Sequence, residues 1–231
     1  MRLEIFPVTG LPEISRGDDL ATMISESVDL EHHDVVVVTQ KIVSKAEGAM
    51  IAIDPSDPLS HKPIVERESV RILRRRGELI ISETKHGFVC ANAGIDLSNV
   101  ERGQAALLPD DSDRSARRIR DAIKGRDGID VGVIVSDTFG RPWRRGVTDV
   151  AIGCAGLRAI LDLRGTNDAL GRELQVTEVA LVDELACAAE LAMGKSTGWP
   201  VAIVRGGPDD WFGEASVREH IVRDAADDLF R

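Results

Sequence analysis

The sequence predicts a mixed α/β (α+β) fold, and three observations predict it. Short β-branched runs bounded by turn residues recur along the chain, amphipathic stretches of helical spacing lie between them, and neither follows a regular repeat. The chain has 231 residues, 43% of them hydrophobic, enough to bury one large core or two small ones without staples. The strand-like runs are residues 3–8, 35–39, 79–82, 131–136 and 201–204. Helical patterns fall at residues 20–27, at 65–76 beside an arginine-rich face, and at 115–124. A further one at 178–193 carries a stripe of Val179, Leu181, Val182, Leu185, Ala186, Ala189 and Leu191, and an amphipathic helix is expected at 214–229. Residues 53–62, rich in Pro, Asp and Ser, read as a surface insertion. With no linker or repeat, residues 1–231 read as a single domain in which any two subdomains are intertwined, with no boundary marked.

Charge narrows the partners. Thirty-nine acidic against 29 basic side chains give a formal charge of -10, which repels nucleic-acid phosphates and anionic lipid, so neither nucleic acid nor membrane is an expected partner. The N-terminal stretch reads directly as a strand, without a targeting signal, and no apolar run reaches spanning length. Cys90, Cys154 and Cys187 are odd in number and widely spaced, and read as reduced core residues of a cytoplasmic protein.

Residues 189–196, AELAMGKS, imitate a phosphate-binding P-loop with alanine for the first glycine. A working P-loop follows a strand and opens a helix. Here a helical pattern precedes Gly194 and a strand follows, so Gly194 reads more simply as a helix C-cap. More informative is VGVIVSDTFGRPWRR at 131–145, a buried strand ending in Asp137, Thr138, a glycine and three arginines. Carboxylate and hydroxyl are hard ligands for Mg²⁺ or Mn²⁺, and guanidinium groups clamp carboxylate or phosphate; equally, Asp137 could cap a turn. A second acidic turn places Asp96 after the apolar stretch at 88–91, and by itself it is only an Asx turn. The buried strand 35–39 runs into Lys41 and Lys45, each a solvated strand end or a phosphate contact. GLPEI at 10–14 reads alone as a plain loop. Of the histidines, His32, His33, His61 and His220 read as structural, and His86 alone is retained for the site.

Taken in order, GLPEI (10–14), TQKIVSKAEG (39–48), ETKHGFVCANAGIDLSN (83–99), SDTFGRPWRRGVTDVAIG (136–153) and VAIVRG (201–206) resemble the coenzyme F420-0:γ-glutamyl ligase family over nearly the whole chain. The resemblance implies a two-part α/β fold of that type and an intertwined homodimer. It also implies GTP-dependent joining of L-glutamate to coenzyme F420-0, followed by further γ-linked glutamates, with two ions of Mg²⁺ or Mn²⁺ and K⁺ as a helper. Carried over by motif, nucleotide contacts fall on Leu11, Pro12, Glu13, Ile14, Gln40, Lys45 and Asn99, and on the loop Met193, Gly194, Lys195, Ser196, Thr197, Gly198, Trp199 and Pro200. Metal contacts fall on Asp96, Asp137 and Thr138. Archaeal members usually carry glutamine where this chain has Lys195; an ammonium cannot ligate a cation, so the second metal either loses a ligand or is replaced in part by the lysine charge. Bacterial members can carry a C-terminal flavin-dependent reductase domain, so such a domain, fused or separate, is a further expected partner.

Amide formation from a carboxylate needs an activated oxygen, and phosphoryl transfer from GTP to give an acyl phosphate supplies it without a protein nucleophile. In that scheme Asp96 and Asp137 fix metal on the β- and γ-phosphates, Thr138 assists a second ion, and Lys45 contacts phosphate. His86, Arg141, Arg144 and Arg145 are candidates for holding glutamate or the acidic precursor. The alternative is a metal-dependent nucleotide phosphohydrolase.

Overall fold

The computed structural model describes residues 2–229. Strand β1 (Glu4–Pro7) is followed by helix α1 (Leu20–Ser27), whose N-terminus is capped by the Asp19 carboxylate accepting from the Thr22 amide. Strand β2 (Val35–Thr39) passes without a break into α2 (Gln40–Glu47), which stops at Gly48 in the left-handed conformation. Then come β3 (Met50–Ala52), α3 (Lys62–Glu68), β4 (Ser69–Arg76), β5 (Leu79–Thr84), β6 (Val89–Ala91) and β7 (Gln104–Ala106). The second half holds α4 (Ser112–Asp127), the long strands β8 (Gly132–Arg141) and β9 (Arg144–Ala155), β10 (Leu161–Asp162), β11 (Glu178–Val179), α5 (Leu181–Met193), β12 (Val201–Arg205) and the single turn α6 (Val217–His220).

The main sheet has the order β1-β12-β2-β8-β9, and its only parallel pair is β2 with β8. Val35 to Val38 are all buried, as are Val133 to Val135 and Val201 to Val204. Consecutive buried positions mean that both faces of these central strands are covered, which is why they read as unbroken apolar runs rather than alternating ones. Helix α4 packs on β8 and β9, and α5 packs on β9, β1 and β12. A smaller sheet, β4-β5-β6, lies with α3 around a satellite core of Val65, Ile80 and Ala93.

Two expected elements and one expected core residue differ. The helix expected over 65–76 ends at Glu68, and Ser69–Arg76 is a strand paired antiparallel with β5. Ser69 Oγ donates to the Val65 carbonyl (2.6 Å) and lies 2.7 Å from Ser82 Oγ, so the chain is turned out of the helix at the point where the sheet accepts it. The apolar spacing of Val70, Ile72 and Leu73 suits either element, and cross-strand pairing decides. The helix expected over 214–229 shrinks to Val217–His220, and beyond it Ile221 and Val222 pack against the main core without continuing the helix. Cys187, expected in the core, is exposed on α5 and accepts a 2.9 Å hydrogen bond from Thr148 Oγ1. Cys90 and Cys154 are buried, and burial pushes both thiols up to about 12. Among the described residues no helix is long and apolar enough to cross a membrane.

Candidate functional site

The carboxyl end of a parallel strand pair is where open α/β sheets place their ligands, and this sheet has one such pair. Thr39 pairs with Ser136, so the residues just beyond both, Gln40 to Lys45 and Asp137 to Thr138, emerge at the same end. Helix α2 starts there with no side-chain N-cap. Its first-turn amides and its dipole are therefore left to favour an anion.

Asp96 is brought to this end by a bridge to β7: its amide donates to the Ala106 carbonyl (3.0 Å), and its carbonyl accepts from the Ala106 amide (2.9 Å). Its carboxylate takes the Ser98 amide (2.7 Å) and an ion pair with Lys41 at 2.8 Å. Burial works to raise Asp96, but Lys41 and Ser98 outweigh it and hold the carboxyl below the usual range. Asp137 has no lysine of its own. Burial pushes its carboxyl up to about 7 against the Thr138 amide that hydrogen-bonds it, and the neighbouring charges of Asp96 and Asp149 push the same way.

Asp149 stood in no expected site. It is 2% exposed on β9, directly opposite Thr138, whose hydroxyl donates to it at 2.7 Å. Lys195 Nζ is 2.6 Å from Asp149 Oδ1, 2.6 Å from Thr138 Oγ1 and 3.3 Å from Glu190 Oε1. The signal available in the sequence was a lone acid opening an apolar strand stretch, VTDVAIG, where a buried charge demands a partner.

Other expected residues distribute unevenly. Lys45 and Glu13 meet as an ion pair, which joins the 10–14 loop to α2. The Gln40 side chain is turned into the core, donating to Ser44 Oγ and the Leu107 carbonyl, and this leaves its main chain alone for any ligand. Ile14 and Met193 are core side chains, whereas Pro12, Asn99 and the stretch 194–199 are exposed. Gly194 does end α5, its amide bonded to the Glu190 carbonyl, and a strand follows, so helix, glycine and strand come in the order opposite to a P-loop's. Arg141, Arg144 and Arg145 sit at the exposed tip of the β8–β9 hairpin. Arg141 lies four residues beyond Asp137, roughly 13 Å along the strand, and does not join the carboxylates. His86 stacks on Phe88 with both ring nitrogens buried and unpartnered, and burial followed by the Lys85 charge depresses its pKa, so it packs as a neutral ring.

The donor set suits one kind of ion. Among the described residues no three carboxylate, histidine or cysteine side chains converge tightly enough to hold a metal unaided. Two carboxylates and a hydroxyl supply hard oxygen, which fits Mg²⁺ or Mn²⁺ held largely by water and phosphate oxygens, and does not fit the closed nitrogen and sulfur cages of structural zinc. The elevated Asp137 carboxyl also has a measurable signature. A raised carboxyl binds more protons folded than unfolded between about pH 4 and 7, so its contribution to stability is lost as pH climbs through that window. Melting temperatures of metal-free protein should fall across this range relative to Asp137→Asn, which lacks the titrating group. Parallel curves for the two proteins would remove Asp137 as the group responsible.

Comparison with known proteins follows the same direction. The family described as F420-0:Gamma-glutamyl ligase matches residues 10–206. A coenzyme F420:L-glutamate ligase of Methanopyrus kandleri is 43% identical, over 99% of this chain and 98% of the relative. That of Methanothermobacter thermautotrophicus is 43% identical over 90% of each, and that of Archaeoglobus fulgidus is 42% identical over 100% of this chain and 97% of the relative. With nearly the full length matched at this identity, the chain belongs to the F420-0:γ-glutamyl ligase family of coenzyme F420 biosynthesis.

Proposed function

We propose that this protein joins L-glutamate to the terminal carboxylate of coenzyme F420-0 with GTP as phosphoryl donor, and then adds further glutamates through γ-linkages. The observation that carries the reading is the position of Asp137, an acid without a lysine partner, between Asp96 and Asp149 at the carboxyl end of the β2–β8 pair. The lysines beside it and the uncapped start of α2 suit phosphate.

A carboxylate oxygen of the precursor attacks the γ-phosphorus, the bond to the β-phosphate oxygen breaks and GDP leaves. The glutamate amine then attacks the acyl carbon, phosphate departs, and the nitrogen gives up a proton. Bound divalent metal would supply charge neutralisation on the phosphates, and Asp96 and Asp137 are the residues that would hold it. Lys45, which pairs with Glu13, would exchange that partner for a phosphate. His86 stacks on Phe88, which in turn meets Phe139 edge-on, and these rings form one wall near the site.

The same reading carries K⁺ as a helper and a homodimer. The β8–β9 hairpin ends in Trp143, 82% exposed, and Val147, 61% exposed, apolar surface that suits a second copy. Mass spectrometry of a reaction containing F420-0, glutamate, GTP and Mn²⁺ should yield a product heavier by one glutamyl unit, with GDP formed only when both acceptor and glutamate are present. Phosphate release without glutamate would instead mark a phosphohydrolase.

A further inference from the structure

Lys195 reaches back from the turn after α5 onto three oxygens carried by three elements. Asp149 Oδ1 on β9 and Thr138 Oγ1 on β8 each lie 2.6 Å from its Nζ, and Glu190 Oε1 on α5 lies at 3.3 Å. These are the oxygen types that Mg²⁺ and Mn²⁺ take, but an ammonium with three donors and no lone pair sits at their focus. While it stays there a metal ion has no room at the same point. Asp149 has its charge balanced by the chain itself, as buried acids require.

Of the acids around the site, Asp96 is paired with Lys41, and Asp149 and Glu190 with Lys195. The place left for a divalent ion is therefore beside Asp137.

We infer that Lys195 is a tethered cation: it positions Asp149 and Thr138 as a metal ion would, so the protein takes one divalent ion at this site where the oxygen set could serve two. The inference rests on the metal-dependent reading above and departs from the two ions that the family resemblance implies. Mn²⁺ titration of the full-length protein at pH 8 with a saturating non-hydrolysable GTP analogue tests it, counted above a nucleotide-only control and followed by calorimetry and by loss of the free-ion electron paramagnetic resonance signal. Wild type should bind one Mn²⁺ per chain, and so should Lys195→Arg, which keeps the charge. Lys195→Met, which frees the three oxygens, should bind two. Lys195→Gln provides the same readout should the methionine variant fail to fold, with circular dichroism checking each protein. Two ions in wild type, or one in both neutral variants, would overturn the inference and leave metal-dependent ligation standing. No Mn²⁺ bound by any of the proteins would overturn both.

Discussion

Asp137→Asn is expected to lower glutamate ligation about 10³-fold, the scale on which an electrostatic group serving a transition state is lost. The substitution keeps the shape of the side chain and the hydrogen bond from the Thr138 amide while removing the charge. Stability should move the opposite way. At pH 8 the native carboxyl is ionised beside Asp96 and Asp149, whereas the amide is neutral, so the metal-free variant should be about 1–2 kcal/mol more stable, allowing for solvent screening of a half-buried group. Steady-state ligation with Mn²⁺ and a urea melt without it give the two numbers. A variant ligating near the parental rate would remove Asp137 from the chemistry, and one that lost both activity and stability would make it a structural residue.

Gly153→Ala is expected to be the most damaging single methyl group in the main sheet. A Cβ at Gly153 would lie 2.2 Å from the carbonyl carbon of Ser112, 2.3 Å from its oxygen and 2.6 Å from the Asp113 amide, all of them main-chain atoms that cannot rotate away. Helix α4 must therefore retreat from β9. The Asp113 carboxylate accepts from the amides of Cys154 and Val217 at 2.9 and 2.8 Å, and that retreat would pull these bonds apart. Overpacking with loss of buried hydrogen bonds costs about 3 kcal/mol or more. Thermal denaturation of the purified variant measures it; a melting temperature within a degree of wild type would show that α4 moves without cost.

How much of this was legible in the sequence depended on whether local pattern and tertiary environment agreed. The valine runs of β2 and β12 were readable because strands covered on both faces have only one pattern to show, and α1 because Asp19 caps an apolar face. Strand β4 was not, since its arginines and spaced apolar residues fit a helix until β5 supplies backbone partners. Asp96 and Asp137 could be named from strand ends, but the opposite directions of their shifts could not, because Lys41 pairs directly with Asp96 and not with Asp137. Asp149 and Glu190 escaped notice for a related reason: each becomes meaningful through Lys195, which lies 46 and 5 residues away and meets them only in the fold. Hairpin-tip arginines looked attractive through nearness in sequence to Asp137, and an extended strand converts that nearness into distance.

The strand order has a consequence for how the polypeptide is made. Strand β12 lies between β1 and β2, so the last strand of the main sheet to leave the ribosome is the one that joins the first two. Until residue 205 has emerged, one edge of β2, a run of four valines, has no partner on that side. An exposed apolar edge is a template for pairing with another chain. Nascent molecules of this protein thus remain open to misassociation through most of their synthesis, and the closing insertion of β12 brings sheet, helix α5 and the Lys195 turn into place together.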